Sequence, residues 1–202
     1  MSNKALKLSI SVVMIVAVLF QLAGCNSFSD RTLKDLPTFK VASSSIGKNG
    51  DWAYLITNTS MGENITPALN WEAVDGAEEY VIYMLDETAD NWVHWKAIDI
   101  HTNSLPEGWG KTVQTSEYIG PYPPRGQNHT YTIYIFALKN RIYDSDTATP
   151  TLRLSYFPGS VDKKLDVSLD RLVYQLDMRG SDQETGNILA YGKISATYMG
   201  VD

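Results

Sequence analysis

A mainly β fold, an antiparallel β-sandwich with one or two helices near the C-terminus, is predicted by three features of the chain. Short apolar and aromatic runs recur from Phe39 onward, and turn formers separate them at close intervals. Only one late window carries apolar residues at helical spacing.

Taken in order, Phe39–Ser44, Ala53–Thr57, Tyr80–Asp86, Trp92–Ile100 and Tyr131–Leu138 are predicted strands. Gly47-Lys48-Asn49-Gly50, Asp75-Gly76 and the Gly120–Gly126 loop with its three prolines are the breakers between them. Val167, Leu169, Leu172, Val173 and Leu176 predict a helix over Val167–Met178. Ile188–Ala190 and Tyr191–Tyr198 form a last strand region.

A length of 202 residues, without repeats or low-complexity tracts, suits a single domain. Its net charge of −6 argues against nucleic acid, whose binders present a basic face, and supplies no polybasic patch for anionic lipid.

The N-terminus is a separate object. Lys4 and Lys7 precede an uncharged apolar run, Leu8–Leu22, which ends in Leu22-Ala23-Gly24-Cys25. Residues 1–24 are predicted to be a cleavable lipoprotein signal, residues 25–38 a tether, and residues 39–200 the folded domain. Cys25 is the predicted lipidation site, holding the protein at the cell membrane or envelope and facing outside the cytoplasm. The alternative is an uncleaved anchor, for which the apolar span is short. Cleavage removes two lysines and no acid, leaving 15 basic against 23 acidic side chains, a charge of −8. Cys25 is the chain's single cysteine, so its lipidation excludes disulfides and thiol catalysis in the domain.

For chemistry the chain offers His94, His101 and His129. By strand alternation Trp92, His94 and Lys96 share one face and Trp95 takes the other, and His129 shares a face with Tyr131. Two imidazoles, a phenol and Asp86 converging at one end of a sandwich would give a small aromatic-lined concavity suited to an oxyanion. His94 taken alone also reads as a structural histidine between two tryptophans, and His101 as a solvated loop residue. Paired His or Cys spacing for zinc is absent, as are a glycine-rich phosphate loop, Gly-x-Ser-x-Gly and HExxH. No metal and no cofactor are expected.

Four segments in order resemble the phosphatidylethanolamine-binding protein family, also called Raf-kinase-inhibitor-like, in its bacterial branch. They are Gly62-Glu63-Asn64-Ile65-Thr66-Pro67-Ala68-Leu69-Asn70-Trp71; Asp86 followed by Trp92-Val93-His94-Trp95; Gly120-Pro121-Tyr122-Pro123-Pro124-Arg125-Gly126-Gln127-Asn128-His129-Thr130-Tyr131; and Ile188–Tyr198. The likeness implies an antiparallel β-sandwich whose end pocket binds phosphate-type anions or phospholipid headgroups. Carried over by motif, the pocket residues are Asp86, His94, His129 and Tyr131, with Trp92 and Pro121 nearby. It further implies action by binding rather than catalysis, with a protein partner as a second ligand. Two departures stand out. The family's Asp-Pro-Asp-x-Pro is Asp86-Glu87-Thr88-Ala89-Asp90 here, and its His-Arg-Tyr is His129-Thr130-Tyr131. The rival readings are a hydrolase with a histidine base oriented by Asp86, and a structural or partner-binding lipoprotein with a vestigial pocket.

Overall fold

The computed structural model describes residues 31–141, 149–178 and 185–201. Cys25 and the signal segment lie outside them.

The longest strands form one sheet. β4 (Glu79–Asp86), β5 (Trp92–Ile100), β8 (Asn128–Leu138) and β10 (Ile188–Met199) are its body. β1 (Thr38–Phe39) and β7 (Ser116–Tyr118) flank it, in the order β1-β10-β8-β4-β5-β7, and β9 (Lys163–Lys164) adds to β5. All pairs are antiparallel except β1 with β10. A second, small sheet has the order β2-β3-β6, from Val41–Ala42, Leu69–Trp71 and Ser104–Leu105. Two late helices follow, α1 (Pro150–Ser155) and α2 (Leu169–Asp177). The mainly β, antiparallel class and the late helices agree with the sequence reading.

The central strands are apolar on both faces because both faces are covered. In β4, Val81, Tyr83 and Leu85 join Leu154 of α1 and Leu172, Val173 and Leu176 of α2 in one core. Tyr80, Ile82 and Met84 join Leu69, Trp71 and Leu105 of the small sheet in a second core. Helix α2 starts at Ser168, whose side chain accepts the Arg171 N–H, satisfying one of the donors left open at a helix start. Asp177 at its far end is buried, ion-paired to Arg31 at 3.0 Å and accepting the Ile188 N–H at 2.8 Å. With Leu36 in the helix-side core, the second half of the segment read as a tether is docked on the domain.

Three local expectations are corrected. Phe39–Ser44 is not one strand: it is broken at Lys40, β1 adding to the large sheet and β2 to the small one. Ala53–Thr57 is not a strand but a single 3-10 turn over Tyr54–Ile56, closed by the Thr57 N–H and hydroxyl on Tyr54 O. Its apolar look serves to bury Ile56, while Tyr54 is exposed. Finally, Lys96 does not share a face with His94. Leu85 pairs with Val93 and Met84 with Trp95, so His94 is the extra residue of a β-bulge, and the alternation of β5 resets there. Trp95 stays on the small-sheet side with His94, and Lys96 turns to the helix side.

Candidate functional site

The bulge that turns Lys96 away delivers His94 to one end of the sheet, where three neighbouring strands converge. Asp86 closes β4 and stands opposite Tyr131 of β8 on one side and Trp92 of β5 on the other. His129 lies two residues before Tyr131 on the same face, and the two rings stack at 6.4 Å. Asp86, Trp92, His94, His129 and Tyr131 thus line a single cavity of about 290 Å³.

The Asp86 carboxylate organises this end. Its Oδ1 accepts the N–H groups of Thr88 at 2.9 Å and Ala89 at 3.0 Å. That is an Asx turn, closed by a side chain where the family pattern has prolines. Asp90 and Asn91 complete the turn in left-handed conformations, which Asp and Asn tolerate better than most residues. Oδ2 accepts Nδ1–H of His129 at 2.6 Å, and Nε2 lies 3.3 Å from Gln127 Oε1, so both ring nitrogens face acceptor oxygens.

His94 is only 3% exposed. A carbonyl can only accept, so the 2.8 Å contact with Ile119 O places the proton on Nδ1 and leaves Nε2 as the ring's remaining polar atom. Tyr131 packs edge-on at 5.1 Å and Tyr122 at 5.5 Å. Burial lowers the His94 pKa below its ordinary value, partly opposed by the Ile119 carbonyl and Asp86. Burial, then the nearby Asp86 charge, pushes Tyr131 far up, so it stays a neutral donor. The Tyr131 hydroxyl is buried close enough to the Asp86 carboxylate for its pKa to be raised by it, yet it makes no hydrogen bond of good geometry among the described residues.

Pro121 is a correction. It is buried beside the site, its carbonyl accepting the Asn58 N–H at 3.0 Å, and the cavity wall is made by the residues after it, Tyr122, Pro123 and Pro124. The loop is held from beneath: Asn64 Oδ1 accepts the Gly120 N–H at 2.8 Å, and a Cβ on Gly120 would fall 2.0 Å from Ile56 O. At the mouth, the exposed Asp162 accepts from the Tyr122 hydroxyl and, at 3.4 Å, from Trp92 Nε1. Tyr122, Asp162, Asn64 and Ala89 were not singled out from the sequence. Asn64, Tyr122 and Ala89 each stand in a segment that carries the family resemblance, whereas Asp162 carried no signal. His101 is exposed and lies just past the far end of β5, at the other end of the sheet, bonded to Glu78 O and Asp99.

A sheet covered on both faces, with an aromatic cavity holding two imidazoles, a phenol and a carboxylate at one end, is a β-sandwich binding scaffold. Residues 37–198 match the model of the phosphatidylethanolamine-binding protein family, and the chain belongs to that family. Among curated proteins it is similar to the UPF0098 protein YbhB of Escherichia coli K12, 30% identical over an alignment of 105 positions that covers 42% of this chain and 66% of that protein. A UPF0098 protein of Methanothermobacter thermautotrophicus is 32% identical over 101 positions, covering 40% of this chain and 64% of that protein. The match thus spans slightly under two thirds of the length of each relative. Among solved structures, Escherichia coli YbcL, described as a new member of the mammalian family, superposes with a TM-score of 0.52 at 20% identity, covering 80% of this chain and 98% of that one. A family homolog from Chlamydia trachomatis gives 0.50 at 18% identity, covering 80% and 97%. At these identities the two structures establish the fold.

Proposed function

We propose that this protein is a lipid-anchored, extracytoplasmic binding protein. Its end cavity takes a phosphate-type anion or a phospholipid headgroup, it acts by binding without catalysis, and it modulates a protein partner. The observation that carries the reading is the convergence of His94, His129 and Tyr131 on one small cavity with Asp86 behind them. The Tyr131 hydroxyl lies near the Asp86 carboxylate but makes no hydrogen bond of good geometry among the described residues, so it is a donor available to a ligand's acceptor. Protonation of His94 at Nε2 adds a charge-assisted donor, worth about 1.5–3 kcal/mol net. Anchoring at Cys25 rests on Leu22-Ala23-Gly24-Cys25 and the apolar run before it.

Calorimetry with inorganic phosphate and phosphoethanolamine tests the pocket. Wild type should bind, and His94→Ala and His129→Ala should each weaken binding about 10- to 100-fold. Burial holds the His94 pKa below 6.5, so affinity should rise as pH falls from 7 through 6 and below. An absence of binding by wild type, or equal binding by both variants, sinks the proposal. Turnover of a phosphoester in the same cavity would replace binding with catalysis.

A further inference from the structure

We propose that the helix-covered face of the large sheet carries a second ligand site, independent of the end cavity, for small zwitterions of the free amino acid type. Lys96 is the starting point. The bulge at His94 sends it into the helix side, where it is 3% exposed. Its ammonium donates to Gly159 O at 2.6 Å and Phe157 O at 3.4 Å, which leaves one of its three N–H groups. That group borders a cavity of about 400 Å³, larger than the end cavity and within the range of small-molecule sites.

The other charges of this cavity stand off from Lys96. Glu117 faces it across the β5–β7 ladder, and Asp166 precedes α2. Both are exposed at the rim. Burial lowers the Lys96 pKa, and both carboxylates oppose that fall, so both act on the ammonium. Neither comes within the 4.0 Å of an ion pair. On the α2 wall, Gln175 Oε1 is buried without a hydrogen-bond partner among the described residues.

The cavity therefore has a cationic floor, two carboxylates at its rim and an unmatched acceptor on its wall. A lone anion would satisfy Lys96 but meet the rim's repulsion, and a lone amine would meet the ammonium below. A molecule with a carboxylate directed at Lys96 and an ammonium directed at Glu117 and Asp166 answers all of these groups at once.

The test uses the full-length protein in detergent, titrated calorimetrically with L-alanine, L-glutamine and L-lysine, and with acetate and methylamine as half-ligands. At least one amino acid should bind with a Kd of ~1 mM or tighter, and neither half-ligand should match it. Asp166→Asn and Glu117→Gln, both at exposed positions, should each weaken it at least about tenfold, and Lys96→Met should abolish it while phosphate affinity at the end cavity is unchanged. The proposal is overturned if no amino acid binds, if either rim variant binds with less than that loss, or if acetate binds as tightly. Failure of phosphate binding alone would strike the end cavity and leave this site standing.

Discussion

Tyr131 shows how a single residue can be set for a ligand at the expense of the empty protein. Its ring is wholly buried, yet its hydroxyl makes no hydrogen bond of good geometry among the described residues. A buried, unsatisfied hydroxyl costs about 1–3 kcal/mol. Tyr131→Phe should therefore leave the unliganded domain as stable as wild type or about 1 kcal/mol more stable, while phosphate binding falls about tenfold. Thermal melts and calorimetry on the same sample check both halves, and a variant that loses stability would mean the hydroxyl is satisfied in the empty protein. The pairing of His129 with Tyr131 was legible from the sequence because β8 is regular there, so alternation places both side chains correctly. The direction of Lys96 was not, because alternation holds only within an unbroken register and the bulge at His94 interrupts it. Pro121 was misplaced by one residue for a similar reason. A proline loop has no period, and only its contacts with Asn58 and Asn64 decide which residue faces the cavity.

At the scale of the element, β4 carries a buried carboxyl group at each end. Asp86 closes it at the cavity, while Glu79 opens it at the opposite end, fully buried, with Oε2 3.3 Å from Arg153 and 3.8 Å from Arg141. Burial, with help from Asp99, pushes the Glu79 carboxyl up to about 7 against the pull of the two arginines. The folded state thus holds this proton more tightly than the unfolded chain does. Stability falls as pH rises from about 4.5 to about 7 and levels off above that. His94 acts in the opposite sense: its lowered pKa makes the folded state gain stability as pH rises toward 6.5. The contribution of Glu79 is the difference between wild type and Glu79→Gln in denaturant unfolding. The variant should gain on wild type by on the order of 2–3 kcal/mol across that window. Parallel curves for the two proteins would show that the carboxylate is already ionised when folded. The strand itself was plain in the sequence, since an unbroken apolar run announces a strand covered on both faces. The 3-10 turn at Tyr54–Ile56 was not: five residues hold too few periods to separate a strand from one helical turn, and only tertiary bonds to Ala53 and Thr57 decide.

Across the whole molecule, the cavity and the entry of the N-terminal segment occupy opposite ends of the sheet. Arg31 is fastened to Asp177 and Ile188 O, and Ile188 pairs with Leu138 at the end of β8, whereas His129 lies at its beginning. Nine residue steps of strand separate those two positions, about 30 Å. Between Cys25 and Arg31 the chain has six residue steps, which reach about 20 Å at full extension. A lipid on Cys25 would therefore bring the Arg31 end to the bilayer first and direct the cavity toward the solvent. The ligand expected in that arrangement is a soluble phosphate compound, or a phosphate presented by a partner, rather than a headgroup of the anchoring membrane. Fatty-acid labelling that is lost in Cys25→Ser establishes the anchor. The lipidated protein, reconstituted in vesicles of phosphatidylethanolamine or of phosphatidylcholine, should then bind added phosphate equally in both, within about twofold of its affinity in detergent. Affinity reduced only by phosphatidylethanolamine would mean that the headgroups of its own bilayer reach the cavity, and that the domain lies on its side with His94 and His129 turned to the membrane.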